Sequence, residues 1–141
     1  MSQVISLYKN ILDEVINLEN KKREISIQIL LTKNESKRLN LISSFLTYDL
    51  NKHELLERAA VIAVQNKELN VLEQLQKMYS HCEDDELLNK IRKEIKYIKR
   101  FRKNINKAVK YPDFLSFFER RMIQEISKYV VEQARIYAGF Q

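Results

Sequence analysis

Apolar residues recur through the first part of the chain at alternating steps of four and three. Val4, Tyr8, Ile11, Val15, Leu18, Lys22, Ile25 and Ile29 make up the series, and Lys22 is its one polar member. This is the a/d seam of a heptad. Ile5, Leu12, Ile16 and Leu30 flank the seam and widen it. A wide stripe suits a bundle helix packed on two neighbours better than a bare two-stranded coiled coil. The pattern predicts a helix over residues 3–31, ~43 Å long at ~1.5 Å per residue. A rod of that length either projects from the domain or has another long helix against it.

Polar punctuation divides the rest. Thr32 and Glu35 have capping-box spacing, with Asn34 and Ser36 as alternative caps. A short helix carrying Leu39, Leu41, Ile42, Phe45 and Leu46 is predicted next. Asn51 reads as a new N-cap with Glu54 at N3, opening a helix whose run Ala59-Ala60-Val61-Ile62-Ala63-Val64 is the expected centre of burial. From Asn66 another short helix turns Leu69, Val71, Leu72, Leu75, Met78 and Tyr79 inward. Ser80 and Glu83 have capping-box spacing at the head of a long helix running to about Val109. Tyr111-Pro112-Asp113 breaks it, because proline excludes helical backbone from the residue before it and is welcome in a first turn. A last helix holds Phe114, Leu115, Phe117, Phe118, Met122, Ile123, Ile126, Tyr129, Val130, Ala134 and Tyr137, and ends at Ala138-Gly139. The two short helices at 52–65 and 67–79 have the size of a solenoid hairpin, but no second copy follows. The expected fold is all-α: one domain over residues 1–141, a helical bundle of about five or six helices with long first, fifth and last members.

The long helix before the proline carries a separate signal. With Ile98 at zero and ~100° per residue, Ile91, Ile95, Phe101, Ile105 and Val109 fall within about 60° of it. Arg92, Lys93, Lys96, Lys99, Arg100, Lys103, Lys107 and Lys110 fall between about 100° and 220°, on the other side. Only Arg102 lies on the apolar stripe. Nine bases against one acid, Glu94, leave +8 on residues 92–110, in a chain of net charge +6. Acids at the head of this helix (Glu83 to Glu86) and bases at its end suit the helix dipole, and any bundle helix needs a solvated face. Yet Lys96–Arg100, Lys99–Lys103 and Lys103–Lys107 are like charges four apart, which repel. A polyanion or an acidic protein surface would relieve that repulsion. These eight residues are therefore candidates for polyanion contact, through phosphates rather than base edges.

Composition narrows the remaining chemistry. One glycine and one proline in 141 residues leave little material for hairpins, phosphate-cradling loops or nucleophile elbows. No Walker loop or dinucleotide fingerprint is present, and no apolar run reaches the ~18 residues of a membrane span. The single cysteine, Cys82, allows no internal disulfide, which together with the acid-bearing N-terminus points to a cytoplasmic location. His81-Cys82-Glu83-Asp84-Asp85 invites a metal reading, but one cysteine and two histidines fall short of a tetrahedral zinc set. Cys82 with His53 or His81 is a weak nucleophile pair without an oxyanion loop. Asp49, Glu54 and Glu57 supply carboxylates, each equally at home near a helix start. A deep polar pocket gathering a histidine with carboxylates would revive catalysis. The expectation is a non-enzyme without cofactor or metal. Phe114, Phe117 and Phe118, with Leu115, cover more than one face of a helix, so they either anchor the fold or meet a partner. The function expected is a helical interaction protein (regulator, adaptor or chaperone-like factor) that binds a protein partner, with homodimerisation in view. The alternative is a small basic nucleic-acid-binding protein using the 92–110 face. No membrane partner is expected.

Overall fold

The structure, a computed structural model, describes residues 2–79 and 84–139, with side chains from 6 to 79 and from 86 to 139. The predicted caps and ligands at Ser80, His81, Cys82 and Glu83 lie outside the described residues. The chain is an all-α bundle: α1 (Ser2–Leu31), α2 (Glu35–Gln65), α3 (Leu69–Met78), α4 (Asp84–Lys110), a 3₁₀ turn (Pro112–Phe114) and α5 (Phe117–Tyr137). Among the described residues, no helix is long and apolar enough to cross a membrane.

α1 follows its heptad pattern. Ile11, Val15, Leu18, Lys22, Ile25 and Ile29 are all buried, and the rod does not project, because α2 lies antiparallel along it. Asn34 caps α2, accepting from the Lys37 amide at 3.0 Å. The predicted break at Asn51 does not exist. Residues 35–65 form one helix, in which Asn51 is exposed and helical. Ile42, Phe45, Leu46, Asp49, Leu50, Leu56, Ala59, Ala60 and Ala63 are its buried residues, and with half-buried His53 they make one unbroken stripe at steps of three and four. Asp49 and His53 look like a loop in one dimension, but in three they are the polar stretch of that stripe. The long helix that was expected fifth is consequently the fourth.

α2 ends in a Schellman motif. The Glu68 amide donates to the Ala63 carbonyl at 2.9 Å and the Lys67 amide to that of Val64 at 3.3 Å. Lys67 takes the left-handed position, φ 53°, where glycine is usual. Asn66 thus closes α2 rather than opening α3. In α3, Val71, Leu72 and Leu75 are buried as expected, whereas Leu69 and Met78 are exposed.

α2 is the hub, with α1 and α4 packed on either side; α5 closes the ring against α1 and α4, and α3 crosses α2 and α4. The register of α2 on α4 is set by Ser43–Asn106 at 2.5 Å and Glu57–Arg92 at 2.9 Å, which run antiparallel. The result is an up-down-up-down four-helix ring with α3 inserted between its second and third members. The expected centre of burial is only partly so: Ala59, Ala60 and Ala63 are buried, but Val61 and Ile62 are half-buried and Val64 is exposed.

Candidate interaction surfaces

The 3₁₀ turn and the start of α5 make an aromatic corner. The helix expected from Phe114 begins three residues later. Ser116 is its N-cap and forms a full capping box: the Glu119 amide donates to Ser116 Oγ at 3.1 Å, and the Ser116 amide donates to Glu119 Oε1 at 3.0 Å. With the start fixed there, Leu115 turns toward the core, while Phe114, Phe117 and Phe118 remain 78%, 74% and 78% exposed. They do not anchor the fold. Phe117 and Phe118 meet edge to face, centroids 6.2 Å apart, and Tyr111 and Met122 add exposed apolar surface. Beside them lies an open groove of about 500 Å³ walled by Leu39, Val109, Pro112, Leu115 and Ile123, with Glu35 and Arg120 on its lining.

The second surface is the outer face of α4. Ile91, Ile95, Ile98 and Ile105 are buried, and Arg92, Lys93, Lys96, Lys99, Arg100, Lys103, Lys107 and Lys110 are all exposed. Two of the eight are answered by acids: Arg92 by Glu57 and Lys107 by Glu119. Lys107, together with the Ser116 hydrogen bonds, holds the Glu119 carboxyl down at about 2. Lys96, Lys99, Arg100 and Lys103 have no carboxylate partner among the described residues. Tyr97 stacks on Phe101, interplanar angle 18°, and Phe101 leans on Tyr129 of α5. Arg102 is half-buried on the inner stripe, as its position predicts, and its Nε has no hydrogen-bond partner among the described residues.

A third grouping, which sequence reasoning did not assemble, lies inside the bundle. Lys22, 2% exposed, donates to Asp49 Oδ1 and to the Tyr137 hydroxyl, both at 2.6 Å. Its ammonium lies 4.4 Å from the Tyr137 ring centroid and 5.0 Å from that of Phe45. The Tyr137 hydroxyl also feels Glu19, which pairs with Lys52. Burial pushes the Lys22 ammonium below its ordinary range, against the pull of Asp49. Burial pushes the Tyr137 hydroxyl up, with Glu19 adding to it. For Glu19, burial acts upward, but the Lys52 hydrogen bond and the charges of Lys22 and Lys52 outweigh it and hold the carboxyl low. His53 Nδ1 is 2.8 Å from the Asp49 carbonyl oxygen, so it carries the proton and donates. The signal available in one dimension was the polar break at Lys22. What was missing was its counterpart, Asp49, on the facing helix.

The cluster joins α1, α2 and α5, and its charges are spent on one another. His53 and Tyr79 line two open clefts, one shared with Lys90, Lys93, Glu94 and Tyr97, the other with Leu12, Val15, Ile16 and Glu19. Glu54 is exposed and Glu57 is tied to Arg92, so Asp49, Glu54 and Glu57 do not converge with His53 on one cavity. Among the described residues no three metal-ligating side chains come together. Compared with protein-family models, with curated proteins and with solved structures, the chain matches none.

Proposed function

We propose that this protein is a non-catalytic helical adaptor or regulator of the cytoplasm that docks protein partners on the aromatic corner of Phe114, Phe117 and Phe118. The observation that carries the reading is the exposure of these three rings, 74–78% each, on a bundle whose core is filled without them. Large contiguous apolar patches are uncommon on monomeric surfaces and mark contact sites. Aromatic side chains at the centre of an interface supply much of its binding energy. The capping box fixes the start of α5, and with it the direction of the two helical rings, so the surface is preorganised.

Site-directed photocrosslinking tests this. Benzoylphenylalanine in place of Phe117 is expected to form protein adducts in cells carrying the protein, and in place of Glu14, on the solvated face of α1, to form none. Equal labelling from both positions refutes the reading. A second reading, polyanion binding by the α4 face, is supported by the six of its eight cations that have no carboxylate partner among the described residues and by the neighbouring Tyr97–Phe101 stack. Retention on an RNA or DNA column that survives exchange of Lys96, Lys99, Arg100, Lys103 and Lys107 for glutamine would remove it.

A further inference from the structure

We infer that the occupant of the aromatic corner is a second copy of this chain: each copy seats Phe114, Phe117 and Phe118 in the groove of the other. The inference rests on the docking reading above and names the partner for that surface. The groove walls Pro112 and Leu115 and the protruding rings belong to one segment, residues 112–118. Knob and hole therefore share a corner. A two-fold axis through such a corner satisfies both copies at once and closes the assembly at two, with no surface left to propagate.

Glu35 and Arg120 both line the groove, and they have opposite signs and no ion-pair partner among the described residues. A two-fold relation answers Glu35 of one copy with Arg120 of the other, twice. A corner of one sign would repel its own copy; this one is complementary to itself. A phenylalanine offers roughly 150–250 Å², so three rings at about three-quarters exposure contribute roughly 340–560 Å² per copy. The groove walls add to this, approaching the ~800 Å² per partner of a standard interface. The dimer leaves Lys96, Lys99, Arg100 and Lys103, farther back along α4, facing solvent on both copies.

Sedimentation equilibrium from micromolar to millimolar protein tests the inference. The wild-type mass is expected to move from monomer to dimer. Phe117→Ala with Phe118→Ala raises the dissociation constant about tenfold or more, and Leu39→Trp, which fills the groove, does the same. Glu35→Arg and Arg120→Glu each weaken the dimer, and the two together restore it to within about twofold. That rescue separates the paired charges from any loss of folding. A wild-type monomer at millimolar concentration overturns the inference, as does a dimer indifferent to the phenylalanine exchanges. If the wild type is monomeric while the Phe117 crosslinker still labels another protein, self-association falls and the docking surface stands. If it labels nothing, both fall.

Discussion

Replacing Asp49 with alanine removes the one carboxylate bonded to an ammonium that has almost no access to water. Lys22 is 2% exposed and held by Asp49 and the Tyr137 hydroxyl, each at 2.6 Å, with ring faces of Phe45 and Tyr137 beside it. Without Asp49 the cation keeps a neutral hydroxyl, two ring quadrupoles and the more distant charge of Glu19. Cation–π contacts contribute ~0.5–2 kcal/mol each and do not replace a buried anion. Removing one partner of such a pair costs ~3–5 kcal/mol, a fifth or more of a typical domain stability of ~5–15 kcal/mol. The melting temperature should fall by roughly 10–20 °C for a chain of this length. Urea unfolding followed by circular dichroism measures the loss, with the slope unchanged if the native fold is kept. The deficit also carries a sign in pH. Lys22 titrates below its ordinary 10.5, and lower still without Asp49. Between the folded and unfolded values the unfolded chain binds the extra proton, so the variant gains stability as pH rises through that window. Combining Asp49→Leu with Lys22→Met leaves no buried charge and should recover most of the loss. A loss under about 1 kcal/mol, or one that does not change with pH on the alkaline side, would show that water reaches Lys22 and that the account of this cluster is wrong.

Ser116→Ala removes the N-cap of α5 and should cost about 1 kcal/mol in urea unfolding, while leaving the Glu119–Lys107 pair in place. Carbon-detected NMR titration should find Glu119 near 2. Because that is below the unfolded value of 4.5, its stabilising effect is full above pH 4.5 and fades as pH falls toward 2. A titration near 4 would mean that the Lys107 pair is absent in solution. Changing Phe114, Phe117 and Phe118 to alanine together should alter monomer stability by no more than about 0.5 kcal/mol per site, since the rings touch little. A multi-kilocalorie loss in the monomer would return them to the core. If RNA binds the α4 face, its affinity should fall steeply with salt, and the slope should shrink by about one for each phosphate-contacting cation exchanged for glutamine.

Local pattern made much of the fold legible. The heptad of α1, the two-faced character of α4 and the proline break each rest on neighbours in sequence, and each stands in the structure: the seam of α1 is buried from Ile11 to Ile29, and α4 keeps its isoleucines inside and its basic residues outside, apart from half-buried Arg102. The misreadings lie where the deciding partner is remote. Asn51 and Glu54 have cap spacing, yet α2 runs through them because Leu50 and Leu56 on either side are buried by other helices, and tertiary packing overrides local cap preference. The phenylalanines were ambiguous for a related reason. A cluster covering two helical faces does not say which face the bundle takes, and only the capping box at Ser116, acting with the burial of Leu115, turns the rings outward.

Periodicity, charge and the scarcity of glycine were enough to determine an all-helical bundle with one cationic face, because amphipathic helices report burial along a single strand of information. Tertiary structure decided two things that no single helix encodes. It paired the polar interruption of α1, Lys22, with that of α2, Asp49, so that two apparent flaws became one buried contact. It also left an apolar groove beside three exposed rings. Both depend on which helix lies opposite which, and that is fixed by packing over the whole chain rather than by any stretch of it.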